Sequence, residues 1–290
     1  IWTQFKRILQ KLFHVPVAVE NDVNSAALGE AVFGAGKGKN SFLCLTYGTG
    51  VGGAIIENKQ VYHGSSFSAG EFGAIITHAE EKLSGTDPFD GCYERYASAT
   101  ALVKMVSTVD SSLTNGRQIF ASLKRPEINE VINKWIDEIV LGLATLIHIF
   151  NPSCIVLGGG IMVQPYILER IHTRIPQMVM SSFTHVQISN AKLGNSAGLM
   201  GAYYLASQKL WFSEHEKSLQ SRDFIFMAIL FNNTFKTVQQ GAKDQKCLPQ
   251  YFTALPNCPD CIILWNCYNR STLEVSYHPY LTISGTETIL

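Results

Sequence analysis

The sequence predicts an α/β fold, because short apolar runs of strand length alternate with segments whose apolar residues recur at helical spacing. Two glycine clusters sharpen this. Gly48-Thr49-Gly50-Val51-Gly52-Gly53 stands between the apolar runs Phe42-Leu43-Cys44-Leu45 and Ala54-Ile55-Ile56, and Gly158-Gly159-Gly160 closes the run Cys154-Ile155-Val156-Leu157. Ligands of open α/β sheets collect at the carboxyl ends of strands, and glycine there lets another molecule come close to the backbone. The 290 residues suffice for one large or two ordinary domains, and an apolar content of 46% suits a sizeable core.

Taken in order, Ile1, Phe5, Ile8, Leu9 and Leu12 recur at helical spacing between Lys6, Arg7, Gln10 and Lys11, which predicts an amphipathic helix ending near Phe13. Pro16 precedes a short strand, Val17-Ala18-Val19, and helical patterning resumes from Val23 to Phe33 until Gly34-Ala35-Gly36 stops it. After the first glycine cluster, Val61 to Gly73 is too rich in Gly and Ser for a regular element, and residues 79 to 92 read as an irregular excursion. Tyr93 to Val106 reads as one helix. From Ile128 to Phe150, Ile132, Ile136, Ile139, Val140, Leu143, Ala144 and Ile147 mark a long helix, which Asn151-Pro152 ends. A strand at Cys154 to Leu157, a helix after Pro165, a strand at Val186-Gln187-Ile188 and a helix from Ala197 to Ala206 follow. From about Gln208 the tail loses helical periodicity and reads as a poorly structured extension.

Composition excludes several function classes. Lys+Arg and Asp+Glu both number 23 and no basic face is visible, so nucleic acid is not an expected partner. The longest glycine-free apolar stretch, Phe224 to Phe231, is far short of the roughly 20 residues that span a bilayer. Seven scattered cysteines do not form a disulfide framework and suit a reducing cytoplasm. Cys258-Pro259-Asp260-Cys261 has zinc-knuckle spacing, but Cys247 and Cys267 make no second close pair, so no zinc is expected in the tail. No signal peptide is read, and a start at Ile1 suggests that the chain begins in mid-protein.

The chemistry-bearing residues each have a bland alternative. Four glycines in six positions at 48–53 read as a row of N–H groups offered to a phosphate, against a tight hairpin. Asp22 sits at a strand-to-helix corner where a carboxylate can do chemistry, although Asn21 or Asp22 could equally cap the next helix. Glu71, between Gly70 and Gly73, is presented to a ligand or is an ordinary loop acid. Glu94, in the first turn of a helix, also suits the helix dipole.

Glu20-Asn21-Asp22-Val23-Asn24-Ser25-Ala26-Ala27-Leu28-Gly29-Glu30, Leu45 to Gly53, Ala69-Gly70-Glu71-Phe72-Gly73, Gly91-Cys92-Tyr93-Glu94 and Leu157 to Ile161 resemble, in order, the motifs of the ROK family of repressors, open reading frames and kinases. Ala197 to Ala202 is similar to that family's closing helix. The resemblance implies an actin-like, ribonuclease H-like ATPase fold with an incomplete N-terminal lobe: residues 1–40 as a remnant of a first lobe, 41–206 as the second lobe, and 207–290 as the tail. It also implies ATP-dependent phosphorylation of a hexose or amino sugar with Mg²⁺. On it, Asp22 matches the catalytic base, Asn21, Glu71 and Glu94 match sugar ligands, Gly48, Thr49, Gly50 and Gly52 match a phosphate motif, and Gly158, Gly159 and Gly160 match an adenosine-side motif.

Three departures qualify this likeness. The family's Gly-His after Ala-Gly-Glu-x is here Gly73-Ala74, with His78 out of register, and its cysteine-rich zinc loop keeps only Cys92, so no structural zinc is expected. The amino-terminal Asp-x-Gly-Gly-Thr motif is absent, which predicts little activity from this chain alone and leaves the strands at Val17 to Val19 and Phe42 to Leu45 facing water. A homodimer is expected, with no membrane partner. The alternatives are the sugar-sensing body of a repressor, or a non-catalytic sugar-binding remnant.

Overall fold

The computed structural model describes residues 2–13, 17–216, 226–231, 261–265, 275–276 and 282–283. Its centre is a five-stranded sheet in the order β4-β3-β2-β5-β6, built from β2 (Phe42–Tyr47), β3 (Val51–Glu57), β4 (Gln60–Val61), β5 (Cys154–Gly158) and β6 (Gln187–Asn190). β2, β5 and β6 run parallel, while β3 and β4 turn back as an antiparallel edge.

Alternation along the strands decides what each face of the sheet meets. Leu43, Leu45, Tyr47, Ile155 and Leu157 point into one core with Ile132, Trp135, Ile136 and Ile139 of α7 (Pro126–Phe150) and Ile167 and Ile171 of α8 (Pro165–Met178). Phe42, Cys44, Ala54, Ile56, Cys154 and Val156 point the other way, onto Ala27, Leu28 and Ala31 of α2 (Asp22–Phe33). The expectation that Phe42 to Leu45 would face water is therefore wrong, because helices cover both sides and every one of these residues is buried. A strand buried on both faces has to be apolar throughout, which is why the run does not alternate with polar residues.

α2 lies between the sheet and α9 (Ala197–Glu216), so residues 22–33 share a core with the central sheet. The two helices cross closely: a side chain on Gly29 would fall 2.2 Å from the Ala197 carbonyl oxygen, and one on Gly201 would fall 1.6 Å from that of Ser25. β1 (Val17–Asn21) follows α1 (Trp2–Phe13) and belongs to a second sheet in the order β1-β7-β8, all parallel, with β7 (Phe226–Phe231) and β8 (Cys261–Trp265) supplied by the tail. Val17 and Ala18 are buried, again against expectation. α9 continues ten residues past the predicted end at Ala206, touching α2 as well as β1, β7 and β8, and contact on several sides leaves no single apolar stripe to read. A small antiparallel pair, β9 (Val275–Ser276) and β10 (Thr282–Ile283), completes the described tail. Cys247, Cys258 and Cys267 lie outside the described residues, and Cys261 opens β8.

The single helix expected from Tyr93 to Val106 is two: α4 (Glu94–Ala97) and α5 (Ala99–Ser107), within a series that also includes α3 (Ala79–Ser84) and α6 (Gly116–Ala121). Ser98 is extended at the break and caps α5 by accepting from the Ala101 N–H at 3.1 Å. The Trp135 indole N–H donates to the carbonyls of Ala97 and Ser98 at 3.1 and 3.0 Å. A tryptophan that is far away in sequence thus satisfies the backbone that the break exposes.

Candidate active site

Asn21 and Asp22 stand where β1 gives way to α2. Asn21 is the N-cap: its Oδ1 accepts from the N–H groups of Val23 and Asn24 at 2.8 and 3.1 Å, so the capping alternative holds for this residue. Asp22 Oδ1 accepts from the Val23 N–H at 3.0 Å. Burial pushes the Asp22 carboxyl up to about 6, helped by the Glu71 charge and opposed by backbone N–H donors.

The first glycine turn is a tight connection between β2 and β3, closed by the Gly48 N–H donating to the Gly50 carbonyl at 3.0 Å. Most of its glycines are there for packing, contrary to the expectation of a continuous row of N–H donors. A Cβ on Gly50 would lie 2.6 Å from Glu94 Oε2; on Gly52, 2.6 Å from Val23 Cγ2; and on Gly53, 2.3 Å from the Gly70 carbonyl oxygen. Gly52 and Gly53 are also ladder residues of β3, opposite Thr46 and Leu45. What the glycines permit is the close approach of three acid-bearing segments to one hairpin: the start of α2, the loop before Glu71, and Glu94 itself. Only at Gly48 does a Cβ meet nothing within 4 Å, which leaves the Gly48-Thr49 tip as the open part of the turn.

The hairpin is held from behind. The Ala99 N–H donates to the Gly48 carbonyl at 3.0 Å, a bond made possible by the break at Ser98. Tyr47 and Tyr93 hydroxyls meet at 2.8 Å in the core, and Tyr93 donates onward to the Ile139 carbonyl at 2.9 Å. Glu94 is half-buried and its pKa is raised by that burial, with Glu71 among the like charges and the Val51 N–H donating against them. Glu71 is exposed at the start of a short 3₁₀ turn, Phe72–Ala74. Asp22, Glu71 and Glu94 therefore form one interacting acidic group around the hairpin.

The second glycine cluster lies alongside, because β5 pairs with β2 in parallel and Gly158 sits opposite Thr46. Gly159 adopts φ +104, with its would-be Cβ only 2.1 Å from the Tyr47 carbonyl oxygen, whereas Gly160 has nothing within 4 Å. Two adjacent parallel strands thus end in glycine turns, each with one open glycine, at the carboxyl edge where α/β sheets take ligands.

A profile of the ROK family matches residues 2–209. The chain belongs to the ROK family. Its ROK relatives include a β-glucoside kinase of Listeria innocua, 36% identical over 199 residues, 66% of this chain and 64% of that protein. Among solved structures it is similar to a ROK hexokinase from Thermus thermophilus, with TM-score 0.64, 28% identity and coverage of 71% of this chain and 70% of that one. It is likewise similar to a ROK glucokinase from Streptomyces griseus in complex with glucose and AMPPNP, with TM-score 0.61, 31% identity and coverage of 70% and 72%. These neighbours share the actin-like ATPase fold. The chain spans about two thirds of the length of the relatives it matches.

Among the described residues, no group of three or more His, Cys, Asp or Glu is arranged to hold a metal ion. His78 instead stacks on Tyr96 at 3.6 Å with its Nε2 3.6 Å from Glu138, Tyr96 bonds Glu81, and Lys82 reaches the Pro88 carbonyl and, at 3.8 Å, Cys92 Sγ.

Glu20, His63 and Glu30 have roles that the sequence did not assign to them. Glu20 accepts from the Asn21 N–H at 3.0 Å and from Asn24 Nδ2 at 2.9 Å, and meets His63 Nε2 at 2.8 Å, bracing the corner that carries Asp22. Glu30, fully buried, accepts from the N–H groups of Ala35, Lys192 and Leu193 at 2.6, 3.1 and 2.8 Å and ties the end of α2 to the loop after β6. The signal for Glu30 was a lone acid in the small-residue face of α2, a position where only a partnered charge can be buried.

Proposed function

We propose that this chain is the catalytic body of an ATP-dependent kinase acting on a hexose or amino sugar. The observation that carries the reading is the convergence of Asp22, Glu71 and Glu94 on a hairpin whose open tip lies beside a second open glycine turn. Asp22, at about 6, is ionised at neutral pH yet basic enough to take the proton of a sugar hydroxyl as the phosphoryl group arrives. Glu71 and Glu94 accept from other hydroxyls, and a sugar that donates to both relieves their mutual repulsion. Asn21 has its Oδ1 committed to the cap, which leaves its amide Nδ2 to donate.

Gly48 and Thr49 at one tip and Gly160 at the other take the nucleotide side, while Gly50, Gly52, Gly158 and Gly159 act by letting neighbouring segments close in. Mg²⁺ accompanies the phosphates and needs no all-protein cage. Leu141 and Ile149 of α7 are exposed apolar side chains, which suits a homodimer. The free thiols Cys44, Cys92 and Cys154 suit a cytoplasmic setting.

The test is sugar affinity by calorimetry and ATP-dependent phosphorylation over a panel of hexoses, amino sugars and β-glucosides. Saturable sugar binding is expected. Turnover of the 290-residue chain alone is expected to be low, because phosphoryl transfer depends on donors placed on every side of the γ-phosphate and the chain spans about two thirds of its relatives. No saturable binding of any sugar on the panel would overturn the reading.

A further inference from the structure

The six residues 64–69 form a small loop with a closed neck, where the Ala69 N–H donates to the His63 carbonyl at 3.1 Å. One side of the neck is tied to the catalytic corner. His63 Nε2 meets Glu20 Oε2 at 2.8 Å, and Glu20, only 10% exposed, holds the Asn21 N–H and the Asn24 amide with its other oxygen. The other side runs into Gly70, pressed against Gly53 of the hairpin, and then into Glu71. The loop is therefore tethered on one side to the corner that carries Asp22 and on the other to the hairpin and Glu71.

At the tip of this loop stands Phe67, 79% exposed and with φ +59. A bulky side chain in the left-handed region is an outlier, and glycine would occupy that position without strain. The ring does not enter a core; it leans on the His63 ring at 5.4 Å and 50°, so the same histidine that braces the corner also sets the direction of the aromatic face. Strained residues of this kind persist where the surroundings use them, and an exposed aromatic on a loop tethered beside a polar site offers a flat apolar wall with little side-chain entropy to lose.

We propose that Phe67 is a specificity-determining residue of the sugar site, favouring a hexose that carries an aryl or other flat apolar substituent over the free hexose. This rests on the sugar-kinase reading above. Asp22 and Glu71, on the two sides of the loop's neck, engage sugar hydroxyls, while a substituent leaving the sugar towards the loop meets the Phe67 ring.

The test is calorimetric titration of the 290-residue chain with glucose and with phenyl β-glucoside, in wild type, Phe67→Gly and Phe67→Tyr. Wild type is expected to favour the phenyl glucoside by about two- to tenfold, the size of an aromatic contact. Phe67→Gly should fold at least as well, since it removes the positive-φ strain, and should bring the ratio close to unity. Phe67→Tyr should retain it. A ratio untouched by Phe67→Gly, a loss in Phe67→Tyr equal to that in Phe67→Gly, or a wild type that binds glucose without favouring the phenyl glucoside would each overturn the inference while leaving the sugar site standing. A wild type that binds neither compound overturns the sugar-kinase reading and this inference with it.

Discussion

Replacing Asp22 by Asn separates catalysis from stability. The amide keeps the size of the side chain and can still accept from the Val23 N–H, but it can neither take a proton nor carry charge. Burial raises the carboxyl from 3.8 to about 6, so the folded protein holds the Asp22 proton more tightly than the unfolded chain does. Well below pH 3.8 both states are protonated and the residue costs nothing. As pH rises the unfolded chain ionises first and stability falls, a loss complete once the folded carboxyl has ionised above about pH 6. A shift of about two units corresponds to about 2–3 kcal/mol as an upper figure at pH 8. Urea denaturation of wild type and Asp22→Asn from pH 4.5 to 8 reads it directly. The variant should be the more stable protein at pH 8, by about 2 kcal/mol, with the difference falling to about 1 kcal/mol or less at pH 4.5. Any turnover should fall about 10²- to 10⁴-fold while sugar affinity survives. A variant no more stable than wild type at pH 8, or one with near wild-type turnover, would remove the buried general base from this account.

Other perturbations follow from the same geometry. Gly50→Ala places a methyl 2.6 Å from Glu94 Oε2, so the carboxylate must move, and sugar affinity by calorimetry should drop by about 1–3 kcal/mol; unchanged affinity would take Glu94 out of the site. Glu30→Ala leaves the N–H groups of Ala35, Lys192 and Leu193 without their carboxylate and should cost about 2–4 kcal/mol in urea denaturation, whereas a loss below about 1 kcal/mol would mean that water replaces it. Metal analysis of the purified chain should find zinc well below one equivalent; a full equivalent lost in Cys92→Ser would put a metal in the 71–94 segment, and one lost in Cys258→Ser would put it in the tail.

Whereas the burial of Phe42 to Leu45 on both faces came from helices packed on either side of the sheet, the sequence by itself determined the alternation of strands and helices and the placing of Asp22 and both glycine clusters at strand ends. These are local matters: side-chain periodicity and the steric freedom of glycine act over a few residues and can be read in order. Tertiary structure alone decided the purpose of the glycines, since Gly50, Gly52 and Gly53 answer to Glu94, Val23 and Gly70, segments that come from different parts of the chain. The break at Ser98 likewise depends on the indole of Trp135, and the bracing of the corner that carries Asp22 depends on His63 reaching Glu20 across 43 residues. Such contacts leave no periodic trace, because a hydrogen bond or a close backbone approach constrains one pair of positions and nothing between them.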